Sequence, residues 1–274
     1  MSLFALPFPA IDPVAFELGP LVVRWYALSY LVGFVAGWRL AIYLGRRSPI
    51  RPNGEDADAF IVWAIIGVIL GGRLGYVLFY NLPVYADNPL SALRIWEGGM
   101  AFHGGLIGML LAMYIFARVR GFRFLALGDL VAAVVPIGIF FGRIANFVNG
   151  ELYGRVSDVS WAVEFPAGGG LPRHPSQLYE AFLEGLVLFI VMMVMMRSRR
   201  LRARPGTIGG TFLMLYGLFR FLVEFVREPD EQLGFLWLGA TMGQLLSVPM
   251  ILLGLVLVVF ARPVPVEEPA PKPA

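Results

Sequence analysis

Arginine, asparagine and glutamate occur together at the end of one long apolar run. Arg143 and Asn146 lie three residues apart, so a helix places both side chains on the same face. Asn149 and the glycine after it are typical of a helix end, and the turn there brings Glu151 back towards the membrane interface. Side chains of these types can bind a polar ligand at the edge of an apolar layer. The segment is therefore a candidate binding site.

A second apolar run carries Arg220, with Tyr216 one turn before it and Glu224 one turn after it. Guanidinium groups bind phosphate through two parallel hydrogen bonds. Arginines near a helix end can instead extend to the lipid headgroups and hold the helix at its depth. The polar neighbours favour the first interpretation, in which Arg143 and Arg220 bind one anion.

Three further residues could take part in such a site. His103 could accept a proton, because its reference pKa is near neutrality, or it could donate a hydrogen bond where Gly104 and Gly105 allow close helix packing. Tyr26 could contact a headgroup, and Gly154 could bring the backbone close to a ligand or form a turn. We expect no metal and no cofactor, because the two histidines share no short spacing with a carboxylate.

The composition decides which elements position these residues. Hydrophobic residues make up 58% of the 274 residues, and 32 glycines come on top of that share. A soluble core of this length cannot bury so much apolar surface, so lipid must be the solvent for much of it. The absence of cysteine excludes disulfides, and arginines scattered among loops make nucleic-acid binding improbable.

Apolar runs of about 20 residues predict an all-α integral membrane protein with about seven transmembrane helices. Proline, glycine, asparagine or arginine bounds each run. A loop region at 149–176, with small elements of its own, and a Pro-rich tail at 262–274 complete the single domain. The predicted spans are near 21–44, 59–80, 100–117, 125–148, 177–196, 208–226 and 238–260.

Arginine clusters orient the bundle. These clusters lie in alternate loops, around 46–51, 118–123 and 197–204, whereas the intervening loops contain few arginines. The positive-inside rule places these clusters in the cytoplasm, which puts the N-terminus outside and the C-terminus inside. With a rise of about 1.5 Å per residue, Arg143, Arg220, His103, Tyr26 and Arg73 then all fall in the outer half of the bilayer.

Five segments resemble the prolipoprotein diacylglyceryl transferases. The longest is Gly-Arg-Ile-Ala-Asn-Phe-Val-Asn-Gly-Glu-Leu-Tyr-Gly at 142–154. The others are Arg-Trp-Tyr at 24–26, His-Gly-Gly-Leu-Ile-Gly at 103–108, Arg-His-Pro-Ser-Gln-Leu-Tyr-Glu at 173–180 and Tyr-Gly-Leu-Phe-Arg at 216–220. The resemblance covers nearly the whole chain.

The resemblance implies a reaction in the bacterial inner membrane, with the active site on the extracytoplasmic side. Enzymes of this family move the diacylglyceryl group of phosphatidylglycerol to the lipobox cysteine thiol in a prolipoprotein signal peptide, and glycerol phosphate leaves. The candidate catalytic residues are His103, Arg143, Arg220 and Tyr216. The candidate phosphatidylglycerol-binding residues are Tyr26, Arg143, Asn146, Asn149, Glu151, Gly154, Arg220 and Glu224.

Two other functions fit an arginine-rich membrane site. A transporter of an anionic substrate would need a second polar pathway that faces the cytoplasm. A non-catalytic binder of an anionic lipid would need the arginines but not His103 or Tyr216. The proton of the acceptor thiol also has two possible fates, since His103 could accept it or the field of the arginines could favour the thiolate without a protein base.

Overall fold

The computed structural model describes residues 5–9, 11–19, 21–229 and 234–266. Helices dominate, and short strands lie outside the long helices. Residues 267–274 of the predicted tail lie outside the described residues, and 262–266 have no regular structure. The helices are α1 Trp25–Arg46, α2 Gly54–Phe79, α3 Leu82–Asp87, α4 Phe102–Arg120, α5 Phe124–Val148, α6 Ser176–Glu180, α7 Leu188–Arg197, α8 Arg199–Arg202, α9 Thr207–Val223 and α10 Met242–Phe260.

Six of these helical stretches are long and apolar enough to cross a membrane, which confirms the predicted all-α membrane protein. The fifth of them runs without a break through α6, a π-helical stretch at Ala181–Val187 and α7. The seventh apolar helix, α9, has 17 residues, so it measures about 26 Å against a hydrocarbon core of about 30 Å. Six helices of spanning length are therefore present among the described residues, and the seventh predicted span stays a prediction.

Several predicted helix ends were wrong, for local reasons. The first helix does not begin at residue 21, because Leu21–Arg24 pairs as strand β3 with strand β2, Val14–Leu18. The second begins five residues earlier than predicted, at Gly54, because Asn53 and Asp56 form a capping box. The last begins at Met242 rather than 238, because Thr241 forms the equivalent box with Gln244.

Glycines hold α2 and α4 together. A Cβ on Gly104 would overlap the carbonyl oxygen of Gly71, and one on Gly108 would overlap that of Gly67. The two backbones therefore touch directly, as the small-residue spacing predicts for membrane helices. Gly105 differs, because a Cβ there would meet Val68 at an ordinary contact distance of 3.6 Å.

A carboxylate joins α5 to the start of α9. Asp129, on α5, accepts backbone hydrogen bonds from Gly206 at 2.9 Å and from Gly209 at 2.7 Å. These donors belong to the first turn of α9, where N–H groups have no partner inside the helix. Asp129 therefore caps α9 from a neighbouring helix.

Short strands connect the chain segments that lie beyond the ends of α5 and α9 opposite Asp129. Strand β4, Val163–Glu164, pairs with β1, Leu6–Pro7, and with β5, Pro172–Arg173. An isolated bridge joins Gly154 to Arg227. The loop at 149–176 is thereby fastened to the chain that leaves α9.

We predict that Gly104→Ala destabilises the protein by about 1–3 kcal/mol, because the added methyl group must push two helix backbones apart. Thermal unfolding of the purified protein in detergent measures the effect. Gly105→Ala is the matched control and should unfold close to the wild-type temperature. Equal unfolding temperatures for the two variants would contradict the direct backbone contact.

Candidate functional site

Three arginines and three glutamates form one ion-pair network inside the helical bundle. Arg143 comes from α5, Glu180 and Glu184 from the continuous helix through α6, and Arg220 from α9. The remaining two, Glu224 and Arg227, lie in the turn after α9. Helices that are distant in sequence thus bring six charges together. With every group ionised, the network is neutral.

Glu180 is the centre of this network and is fully buried. Its Oε1 accepts hydrogen bonds from Nη1 of Arg220 at 2.5 Å and from Nη1 of Arg227 at 2.9 Å. Its Oε2 lies 2.9 Å from Nε of Arg143 and forms an ion pair with it. The N–H bond of Arg143 does not point at this oxygen, so the contact is not a hydrogen bond. One carboxylate therefore contacts three guanidinium groups.

Arg220 links this centre to the start of α10. Its Nη2 lies 2.5 Å from Oε1 of Glu224, one turn further along the chain. The other oxygen of Glu224 accepts a hydrogen bond from the Thr241 hydroxyl at 2.6 Å. Since Thr241 also caps α10, the network and the helix start hold each other in place.

Glu184 is the unsatisfied member of the network. It is fully buried, and neither of its carboxylate oxygens has a hydrogen-bond partner among the described residues. Its ion pair is with Nη2 of Arg143 at 3.9 Å. A buried carboxylate without donors is costly and calls for a functional or local explanation.

A second polar group lies where α5 ends. The side chain of Asn146 donates to Oε1 of Glu151 at 2.9 Å, and that of Asn149 donates to the same oxygen at 3.3 Å. Gly150 makes the turn with a positive φ of 66°, which favours glycine. The turn thus brings the carboxylate of Glu151 back to the side chain of Asn146. The side chain of Gln177 holds the Glu151 carbonyl at 2.6 Å.

Glycine is needed at position 154 because the segments that contain Val226 and His174 pass close to its backbone. A Cβ there would overlap the carbonyl oxygen of Val226 and would lie 2.7 Å from Cβ of His174. Nδ1 of His174 lies 3.2 Å from the Tyr179 hydroxyl, and burial lowers the pKa of His174. Together these contacts fasten the loop at 149–176 to α6 and to the end of α9.

The two predicted tyrosines lie close enough to the charged site to interact with it electrostatically: Tyr216 with Glu184, Arg143 and Arg220, and Tyr26 with Glu151 and Arg143. Tyr26 lies in the first turn of α1, and its hydroxyl lies 3.2 Å from that of Tyr30, which packs beside Gly142 on α5. Tyr216 stacks on Phe212 with ring centroids 5.8 Å apart, one turn before Arg220.

His103 lies outside the network. Its side chain is exposed at the start of α4, edge-on to the ring of Phe102 at 5.5 Å. Within the described part of the chain it makes no hydrogen bond or ion pair, and α4 packs chiefly on α2. The structure thus brings Arg143, Arg220 and Glu224 together but does not bring His103 to them.

The sequence matches the prolipoprotein diacylglyceryl transferase family over residues 13–260. Two relatives, both named phosphatidylglycerol–prolipoprotein diacylglyceryl transferase, extend the match to nearly the full length. The protein of Azospirillum brasilense is 63% identical over 95% of this chain and 98% of its own. The protein of Rhodospirillum centenum is 58% identical over 97% of each. The chain belongs to the prolipoprotein diacylglyceryl transferase family.

Arg73 lies at the depth predicted for Arg143 and Arg220 but contacts a different part of the protein. Its guanidinium is buried against carbonyl oxygens of the loop before α4. It donates to Ala92 at 2.7 Å, to Gly98 at 2.5 Å and to Ser91 at 2.9 Å. Arg73 therefore holds this loop in place.

Glu180, Glu184 and Arg227 are the members of the network that sequence reasoning left without a role. The two glutamates are one turn apart in a run that is otherwise apolar. Carboxylates inside a membrane helix are costly unless paired, so they could have been assigned to the arginines. Within the described ranges, no group of three or more His, Asp or Glu could hold a metal ion.

We predict that Glu180→Gln destabilises the protein by about 3–5 kcal/mol, because it removes the buried negative charge that three largely buried guanidiniums share. Chemical or thermal unfolding in detergent measures the loss. Glu97→Gln is the control, since Glu97 forms an exposed pair with Arg94 and its loss should cost at most about 1 kcal/mol. Equal stability of the two variants would show that Glu180 is not the centre of the network.

Proposed function

We propose that the chain transfers the diacylglyceryl group of phosphatidylglycerol to the thiol of the lipobox cysteine in bacterial prolipoproteins. Membership of the family and the names of its relatives support the substrates. The observation that carries the chemistry is the convergence of Arg143 and Arg220 on Glu180. Two guanidiniums from different helices are thereby held beside one another.

These two guanidiniums keep donors for a ligand. In the described part of the chain, Nη1 of Arg143 and Nε of Arg220 make no hydrogen bond or ion pair. The side chains also stay 19% and 18% exposed, although the carboxylates that hold them are buried. We assign these free donors to the phosphate of the lipid headgroup, which they would meet without reorganisation.

The reaction balances without a metal or a redox step. The thiolate sulfur attacks the glycerol carbon that bears the phosphate ester, so a carbon–sulfur bond forms and the carbon–oxygen bond breaks. Glycerol phosphate leaves with the electron pair, and its charge grows where the arginines lie. Their positive field stabilises that charge and favours the thiolate of the acceptor.

The proton of the thiol has two routes. The leaving glycerol phosphate can accept it, which needs no protein base. His103 can accept it only where the signal peptide brings the cysteine to the start of α4, because His103 lies apart from the arginines. The position of His103 supports the first route.

The other proposed residues surround the headgroup. Glu151, held by Asn146 and Asn149, is placed to accept hydrogen bonds from glycerol hydroxyls. Tyr26 and Tyr216 offer hydroxyl groups on the neighbouring helices. Glu224 orients Arg220, and Gly154 fixes the loop that carries Glu151.

For the membrane, we propose seven spans in the bacterial inner membrane, with α9 as the short seventh and the network in the outer half. The arginine-rich turns after α1, α4 and α7 support this orientation. Below the network, α1, α5, α7 and α9 share an apolar core that includes Leu44, Leu130, Leu188 and Ile208. An apolar core on that side of the network disfavours the transporter, which needs a second polar pathway there.

We expect purified protein, phosphatidylglycerol and a lipobox peptide to yield a thioether-linked diacylglyceryl product, detected by mass spectrometry. Arg143→Ala should lower the rate about 10²–10³-fold, because it removes a donor that stabilises the leaving phosphate. Arg143→Lys keeps the charge but loses the planar fork, so it should recover only part of the rate. Arg118→Ala, which removes an exposed arginine beside Tyr114, is the control and should leave the rate unchanged. Folded wild-type protein that binds the lipid without forming product would instead be a non-catalytic binder.

The orientation has its own test, because the chain has no cysteine. Asp158→Cys, in the loop at 149–176, should react with a membrane-impermeant thiol reagent added to intact cells whose outer membrane has been made permeable. Arg200→Cys, in α8, should react only after the inner membrane is opened. Reaction of Arg200→Cys in closed cells would reverse the proposed orientation.

A further inference from the structure

A groove lies between the end of α1 and the start of α2, away from the ion-pair network. It holds a half-open cavity of about 700 Å³, and ligand sites occupy roughly 300–1,000 Å³. Four charged side chains and two tyrosine or asparagine side chains line it. The lining residues are Arg39, Ile42, Tyr43, Arg46, Asn53, Gly54, Glu55 and Asp58.

Tight contacts fix the shape of this groove. A Cβ on Gly45 would lie 2.7 Å from the carbonyl oxygen of Asn53, so the end of α1 touches the backbone where α2 begins. Asn53 caps α2, and Asp56 of the same turn pairs with Arg51 at 2.6 Å. The groove therefore has a rigid floor at the junction of the two helices.

Charges of opposite sign face each other across the groove. Arg39 and Arg46 are seven residues apart and share one face of α1. Glu55 and Asp58 are three residues apart on the first turns of α2, opposite that face. In the part of the chain that the structure describes, no carboxylate lies within 4.0 Å of Arg39 or Arg46, and Asp58 accepts a hydrogen bond from Trp38 at 3.0 Å.

The depth of Arg39 favours an external anionic partner. It lies about 10 Å from the end of α1, at a rise of about 1.5 Å per residue. An arginine at such a depth faces hydrocarbon unless an anion neutralises it or it extends to the headgroups. The ring of Tyr43, on the same face, is half exposed, as tyrosines at a membrane interface are.

We propose that this groove binds a phospholipid whose headgroup carries both a phosphate and a primary ammonium group. The phosphate lies between Arg39 and Arg46, where two guanidiniums offer donors. The ammonium donates to Glu55 and Asp58, which have free acceptor oxygens on the facing helix. Two positive and two negative side chains complement a zwitterion, whereas an anionic headgroup would leave both carboxylates without a cation.

Lipid titrations of the delipidated protein, followed by native mass spectrometry, test this proposal. The probes are dioleoyl phosphatidylethanolamine, phosphatidylcholine and phosphatidylglycerol, which share acyl chains and differ in headgroup. We expect wild-type protein to bind phosphatidylethanolamine most tightly at this site. Arg39→Gln should weaken that binding about tenfold, because a charge-assisted hydrogen bond to phosphate is lost.

The carboxylates have a separate variant. The double substitution Glu55→Gln and Asp58→Asn should reduce phosphatidylethanolamine binding to the level of phosphatidylcholine, whose quaternary ammonium donates no hydrogen bond. Arg118→Gln, on α4 and outside the lining of the groove, is the control and should leave all three affinities unchanged. Diacylglyceryl transfer by Arg39→Gln should match wild type, which separates this groove from the proposed active site.

Two results would overturn the proposal. One is equal affinity of folded wild-type protein for the three lipids. The other is a phosphatidylethanolamine preference that survives both Arg39→Gln and the double substitution, with unfolding temperatures like that of wild type. Loss of the preference in the carboxylate variant, with phosphate-dependent binding retained, would support it.

Discussion

The contact of one carboxylate with three guanidiniums determines how this bundle is put together. Glu180 is fully buried, so it is stable only while Arg143, Arg220 and Arg227 surround it. These arginines come from α5, from α9 and from the turn after α9. The pairing therefore sets the mutual positions of the helices that carry the proposed chemistry. It also orients two guanidiniums before any ligand arrives, which is the condition for electrostatic stabilisation of a leaving group.

Charge balance gives this arrangement a second property. Three arginines placed alone in an apolar bundle would be too costly, so the carboxylates make the site possible. In the proposed reaction, the same carboxylates would compete with the phosphate of the lipid for the guanidinium donors. Glu184, which lacks hydrogen bonds, is the weakest competitor and the member whose environment a bound lipid would change most. Stability and ligand binding thus depend on the same six side chains.

Much of the fold could be predicted from the sequence, because a spanning helix needs a length of apolar chain that is easy to recognise. Asn146, Asn149 and Glu151 were recognised as one polar group at a helix end, but the hydrogen bond between Asn146 and Glu151 was not predicted. Helix starts were missed where a side-chain cap, as at Asn53 or Thr241, extends or shortens the helix without a change in hydropathy. The family match confirmed the resemblance that the motifs showed.

Contacts between distant segments were not predictable in the same way. Depth alone grouped Arg73 and His103 with Arg143, but depth does not say which way a side chain faces around the helix axis. Arg73 binds the carbonyls of the loop before α4, and His103 is exposed. Glu180 was visible as a carboxylate in an apolar run, yet its partners depend on how three helices pack.

Asp129 adds a consequence for the mobility of the bundle. It fastens α5 to the first turn of α9, and Glu180 links the opposite ends of the same two helices. Because contacts join α5 and α9 at both ends, these two helices cannot move apart to admit a bulky lipid. Passage of substrate and product in the proposed reaction then depends on displacement of the other helices around them.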